Sequence, residues 1–206
     1  MSNEKTIIGL TGFARTGKDT AAYYMEGRYG FARHAFAYSL KRACREIFGL
    51  TEEQVNGELK EVLDEYWNRS PRNILQQVGT DCLRERFGGD IWIKSLHKRI
   101  EATPIQTKVI VTDVRFDNEA DYIHSQGGEV WRVVRDDAAP VEQHKSEIPV
   151  SDHLVDRIIL NNGSKEDMYL NLRLAYADMK PVESQDSTFD DTYGAFNEAI
   201  DKELLA

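Results

Sequence analysis

The chain has only two cysteines, Cys44 and Cys82, and five prolines in 206 residues. Two thiols cannot build a disulfide framework, and neither sits in a CxxC pair or in a Cys/His cluster with zinc spacing. A disulfide-stapled secreted scaffold and a zinc module are therefore excluded, and a reducing, cytoplasmic setting is expected. Long apolar runs are missing as well, since no stretch approaches 18 uncharged apolar residues. The start, MSNEKTIIGLTGFARTGK, lacks a basic segment followed by an apolar one. No membrane partner and no secretory leader are expected. Positive charge is also short, with 26 Lys+Arg against 35 Asp+Glu and a net charge of −9. Sequence-independent nucleic-acid binding wants a basic face across the domain, so no stable nucleic-acid partner is expected.

A hydrophobic fraction of 41% is enough for a real core. The length suits one domain, read as residues 1–182, followed by an acidic tail over 183–206. That tail carries −6 of the net −9, and Tyr193, Phe196, Ile200 and Leu204 give it one short amphipathic helix. The remaining chain is only −3 and holds basic clusters at Lys41, Arg42 and Arg45 and at Arg84 and Arg86. A basic pocket in an acidic protein suits a small anionic ligand.

The hydrophobic pattern alternates strand and helix. TIIGLT at 6–11 predicts a strand, 18–29 a helix, Ala35–Phe36 and their neighbours a second strand, and 40–48 a helix closed by Gly49. Helical signals run on to about residue 101, with Ser70 and Pro71 opening one helix. VIVTDV at 109–114 is the strongest strand. A helix around 119–125, strands at 129–134 and 157–160, and a last helix at 165–179 follow. Such alternation implies α/β architecture with a parallel sheet. The helical segment of about 50–101 reads as an insert. Residues 136–153, with two prolines and little apolar periodicity, read as a lid loop.

Gly12-Phe13-Ala14-Arg15-Thr16-Gly17-Lys18-Asp19-Thr20 lies close to GxxxxGK[ST], between a strand and a helix as a phosphate loop requires. In such a loop backbone N–H groups curl round phosphate oxygens, the helix N-terminus favours negative charge, and Lys18 reaches the terminal phosphates. Asp19 stands where a Ser/Thr hydroxyl normally meets magnesium, and Thr20 follows one position later. Asp113, at the end of the strongest strand, is placed as the second carboxylate facing phosphate or magnesium, or else as a turn and cap acid. Phosphoryl transfer needs positioning and positive charge, so Arg15, Arg72, Arg84, Arg115, Arg132 and Arg135 are candidates. Arg115 could clamp a phosphate bidentately. Alternation puts Arg132 and Arg135 on opposite faces, and Arg135 is the favoured one. His144, Lys145 and His153 fall in the lid, where solvated side chains are expected in place of a metal site.

GFARTGKDTAA, SPRNILQQVGTDCLRERFGGDIWIKSL, VTDVRFDNEAD and IILNNGS together resemble the bacteriophage-type deoxynucleoside monophosphate kinases over about residues 6–178. The resemblance implies a three-layer P-loop kinase fold with a helical acceptor-binding insert and a lid. It implies transfer of the γ-phosphate of ATP to a deoxynucleoside monophosphate with Mg2+, in the host cytoplasm for a phage-encoded member. It implies that the GKDT form of the loop, Gly17 to Thr20, is the family's own, and that Arg72, Gln76, Thr80, Arg84 and Trp92 bind the acceptor. The physical reading agrees in kind: an arginine holds the phosphate, the Gln amide reads a base edge, and Trp92 either stacks on a base or packs in the core. Gly12, Ala14, Arg15 and Thr16 join Gly17–Thr20 as the ATP loop; Lys18, Asp113, Arg115 and Arg135 are the catalytic set, with Asp113 and Arg115 also meeting the acceptor. Thr20 and Asp113 are expected to organise magnesium, directly or through water. One departure is Phe36-Ala37-Tyr38-Ser39-Leu40-Lys41, where relatives tend to carry an FADPLK-like stretch, which bears on base preference. A homodimer is left open. The alternatives are a kinase of another small acceptor, of phosphomevalonate or dephospho-coenzyme A type, and a non-catalytic ATP-binding regulator.

Overall fold

Five parallel strands form the centre of the computed structural model, which describes residues 5–104, 107–138 and 149–179. They are β1 (Ile7–Thr11), β2 (Ala32–His34), β3 (Val109–Val111), β4 (Glu129–Val134) and β5 (Arg157–Leu160), in the spatial order β2-β3-β1-β4-β5. Ile7 pairs with Val109 on one side of β1, and Ile8 with Glu129 on the other. Parallel neighbours need crossover connections. These carry α1 (Lys18–Tyr29), α2 (Tyr38–Phe48), α3 (Glu52–Asn56), α4 (Pro71–Gln76), α5 (Glu85–Phe87), α6 (Ile91–Glu101) and α7 (Asp117–Ser125), while α8 (Lys165–Met179) follows the last strand.

Strand periodicity sorts the core into two faces. Ile8, Leu10, Ile110, Trp131, Val133 and Ile159 pack against α1 and α8, where Ala21, Met25, Met168 and Leu172 meet them. Ile7, Val109, Val111 and Val130 point the other way, onto Leu96 and Ile100 of α6 and Ala120 and Ile123 of α7. Each fully buried aliphatic side chain contributes about 1.5–3 kcal/mol. The two faces make the three-layer α/β arrangement. A third cluster of Leu40, Cys44, Leu50, Val55, Ile74 and Leu75 holds α2, α3 and α4 together away from the sheet. Of the helical stretch expected over about 50–101, α6 therefore serves the sheet's own core.

Two strands end earlier than their patterns suggest. The second strand closes at His34, so Ala35 and Phe36 lie beyond it, because the chain turns to give its Phe36 and Ala37 N–H groups to the Asp113 carboxylate. β3 stops at Val111, although Thr112 N–H still donates to His34 C=O and Val114 N–H to Leu10 C=O, each at 3.0 Å. The predicted lid is described only at its stems, including a 3₁₀ turn at Asp152–Leu154. Its centre, with His144 and Lys145, and the acidic tail with its expected amphipathic helix lie outside the described residues. No described helix is long and apolar enough to cross a membrane.

Candidate active site

In an open α/β sheet ligands gather at the carboxyl ends of strands where the connections diverge. Here β1 sends its chain toward β2 on one side and β4 sends its chain toward β5 on the other. The phosphate loop leaves the end of β1, and the lid stem leaves the end of β4.

The loop is shaped by backbone that only certain residues tolerate. Gly12 has φ +132° and Gly17 φ +100°, and a Cβ on Gly12 would stand 2.4 Å from the Val133 carbonyl oxygen. Arg15 takes a left-handed φ of 65° and is exposed. Gly17 is the N-cap of α1, and no side chain caps that helix. Its first N–H groups and the positive end of the dipole are therefore presented to an anion. The Lys18 ammonium donates to the Gly12 and Phe13 carbonyls at 2.8 and 2.6 Å. It is thus held against the loop's own carbonyls. The buried Thr16 hydroxyl donates to Phe13 C=O at 3.0 Å, so it braces the loop from within. Asp19 is exposed and Thr20 half-buried on the first turn of α1, while Ala14 lies half-buried at the loop's centre.

Beside the loop lies a cavity whose lining includes Phe36, Leu40, Leu75, Trp92 and Phe116 as apolar wall, and Lys41, Lys60, Arg72 and Arg115 as cations. Gln76, Thr80, Asp113 and Glu119 complete its polar lining. Asp113 arrives from the end of β3, and its two oxygens accept the Phe36 and Ala37 amides at 2.7 and 3.0 Å. It thereby does what a cap acid does while facing the cavity. Arg72 is 7% exposed and is held by Glu61. Burial, and then the neighbouring charges of Lys41, Arg72 and Arg115, push the Lys60 ammonium down to about 8. Such crowding of positive charge is what an absent anion would relieve. Gln76 is 8% exposed and its Nε2 has no hydrogen-bond partner among the described residues. A buried amide without a partner costs about 1–3 kcal/mol. Trp92 meets both sequence readings at once: its indole N–H donates to Gly79 C=O at 3.0 Å, its ring packs on two core clusters, and it lines the cavity.

Arg72, Gln76 and Thr80, spaced four apart on one continuous helical stretch, face one cavity together with Leu75 and Gly79. Gln77–Arg84 continue α4 as a π-helix, with i→i+5 hydrogen bonding and more residues per turn. Gly79 lets the helix approach α2, since a Cβ there would meet Leu40 Cδ2 at 2.4 Å.

Two expected residues have other partners. Arg84 is not among the cavity-lining residues; its guanidinium bonds Glu119 at 2.6 Å and stacks 3.8 Å over the Phe116 ring. Arg135, just past β4, is half-exposed and paired with Asp137 at 2.8 Å. Arg132, disfavoured in the sequence, fastens the far stem of the lid by donating to Asp152 and Val150 C=O. Tyr38, in the departing FAYSLK stretch, is exposed beside Arg99 and Arg42 and leaves the lining to Phe36, Ala37, Leu40 and Lys41.

Three contributors escaped sequence reasoning. Lys60 sits in an acidic run that looks like a solvated face. Glu119 looks like an ordinary helix-opening acid. Asn161 donates to Thr16 C=O at 2.8 Å and so clasps the phosphate loop from the end of β5. Only for Asn161 was there a signal, its place in the IILNNGS segment.

The chain is similar to several known proteins. A family model described as deoxynucleotide monophosphate kinase matches residues 51–172. A protein of Acanthamoeba polyphaga mimivirus, named for the deoxynucleotide monophosphate kinases, is 38% identical over 179 residues, covering 79% of this chain and 92% of that protein. The deoxynucleotide monophosphate kinase of Enterobacteria phage T4 is 29% identical over 115 residues, 54% of this chain and 46% of its own. Among solved structures, a Thermus thermophilus protein overlays with a TM-score of 0.48 at 14% identity, over 86% of this chain and all of that one. With over half of its length matched by the family model and 38% of aligned residues shared across nearly the whole mimivirus protein, the chain belongs to the deoxynucleotide monophosphate kinase family.

Proposed function

We propose that the protein transfers the γ-phosphate of ATP to a deoxynucleoside monophosphate, giving the diphosphate and ADP. The observation that carries this reading is the convergence of Lys41, Lys60, Arg72 and Arg115 on one cavity whose remaining wall is aromatic and aliphatic. Cations suit the acceptor's phosphate and the apolar wall its base, with the unpartnered Gln76 amide supplying polar recognition of a base edge.

In this reading the loop Gly12–Thr20 holds ATP. Its amides and Lys18 neutralise the β- and γ-phosphates, and Arg15 covers them from the outside. The acceptor phosphate is held by Arg72, Arg115 and the two lysines, in line with the γ-phosphate. These fixed positive groups stabilise the charge that spreads over the transferred group. Arg135 joins from the lid stem once its Asp137 pairing is exchanged for a phosphate. The oxygen donors at hand fit magnesium, which binds few protein ligands and leans on the nucleotide's phosphates. Thr20 and Asp113 would hold it, directly or through water. Among the described residues there is no cluster of three or more acidic, His or Cys ligands that could hold a metal without the nucleotide. The bound ion would supply charge neutralisation between the β- and γ-phosphates.

The test is ADP release measured with magnesium-ATP and each of dAMP, dGMP, dCMP, dTMP and the ribonucleotides, with a no-acceptor control. Release stimulated by a subset of deoxynucleotides is the expected result. A flat background with every nucleotide would remove the assignment and turn attention to the other acceptors or to a binding module.

A further inference from the structure

Glu119 is the most buried charged side chain at the cavity, at 2% exposure. One carboxylate oxygen accepts the backbone N–H of Arg115 at 2.9 Å and that of Phe116 at 3.3 Å. The other accepts from Arg84 at 2.6 Å. Arg84 in turn donates to Asn118 at 3.2 Å, and Asn118 donates to Gly89 C=O at 2.9 Å. Two chain segments, 84–89 and 115–119, are thus stitched together around one carboxylate. Arg84 is also the last residue of the π-helical stretch that holds Thr80. A buried ion pair is weak evidence for stability, because desolvation offsets its attraction. What this pair fixes is geometry.

We propose that Arg84 and Glu119 are positioning residues for the acceptor: together they hold the Arg115 backbone at the cavity and fix the helix carrying Arg72, Gln76 and Thr80 against it. This rests on the reading that Arg115 meets the acceptor phosphate. Arg84 then acts without touching substrate, through Glu119, and the pair couples the base-reading helix to the phosphate-holding loop. An acceptor that displaces either segment is penalised at both.

The experiment measures kcat and the KM of acceptor and ATP for Glu119→Gln, Arg84→Lys, Arg115→Ala and the double variant Glu119→Gln with Arg115→Ala. Losing a hydrogen bond to a charged group removes enough energy for about tenfold. Glu119→Gln is expected to raise the acceptor KM about tenfold while the ATP KM stays within about twofold. Arg84→Lys, which keeps the charge and loses the planar fork, carries the same expectation should Glu119→Gln fail to fold. In the Arg115→Ala background, Glu119→Gln is expected to raise the acceptor KM by less than it does in the intact enzyme, since one of the two segments it positions has lost its phosphate-holding side chain. Additive effects in the double variant, or equal rises in both KM values, would overturn the proposal and leave the pair a plain structural brace. An Arg115→Ala enzyme with unchanged acceptor KM overturns the Arg115 assignment and this proposal with it, while ADP release from the intact protein still tests phosphotransfer by itself.

Discussion

The phosphate loop and the acceptor cavity sit side by side and are built in opposite ways. The loop is nine consecutive residues whose work is done by backbone: two left-handed glycines, an uncapped helix start and one lysine folded back on its own carbonyls. The cavity takes its lining from residues between Phe36 and Glu119, spread over several elements, and its work is done by side chains. A site made of backbone is rigid, local and easily broken by one methyl group. A site made of converging side chains can be retuned one residue at a time.

The largest effect is expected at Lys18. Lys18→Ala is expected to lower kcat by on the order of 10²–10³-fold with the melting temperature nearly unchanged, measured by ADP release beside a thermal melt. Near-normal turnover in that variant would break the comparison at its root. Gly12→Ala tests the backbone claim: the strained φ and the clash with Val133 C=O are expected to cost about 1–3 kcal/mol. For a domain of this size that lowers the melting temperature by several degrees, at about 2–4 °C per kcal/mol.

On the cavity side, Lys60→Met is expected to raise the acceptor KM about tenfold, the loss of a charged contact. In the unmodified enzyme, Lys60 is charged below about 8 and loses its proton above it. The kcat/KM for acceptor is therefore expected to fall as pH rises through 8, and that limb should be absent from Lys60→Met. The sign for stability is reversed. Folding disfavours the charged ammonium, so this penalty is complete below about 8 and is relieved as pH rises from 8 toward its ordinary value near 10.4. The smallest effect is expected at Gln76. Gln76→Leu removes the unpartnered amide, and is expected to raise stability by about 1 kcal/mol while flattening the preference among bases. An unchanged base preference would show that the amide reads nothing.

The two regions also differed in how far the sequence revealed them. Local pattern was sufficient for the loop, for α1 and α8, and for β4 and β5, whose alternation and flanking turns are carried by neighbouring residues. It failed where a distant group decides the local structure. Ala35–Phe36 look like a strand and turn away because Asp113, far along the chain, draws their amides. Arg84 looks like a substrate ligand by its place in the segment, and the structure gives it a buried carboxylate instead. Lys60 is one charge in an acidic run until the fold brings Lys41, Arg72 and Arg115 around it. The π-helical pitch over Gln77–Arg84 has no signature in hydrophobic period, since helical spacing alone assumes an α-helix throughout.

The Asn161 clasp bears on the order in which the molecule is made. The phosphate loop is encoded near the start of the chain, yet its brace comes 145 residues later. At synthesis rates of about 5–20 residues per second, the nascent chain waits roughly 7–30 s between the two. During that interval the growing polypeptide carries the nucleotide motif without the strand end that completes its shape. A chain stopped short of residue 161 would keep the recognisable signature without this clasp, so the loop's described form is completed late in translation.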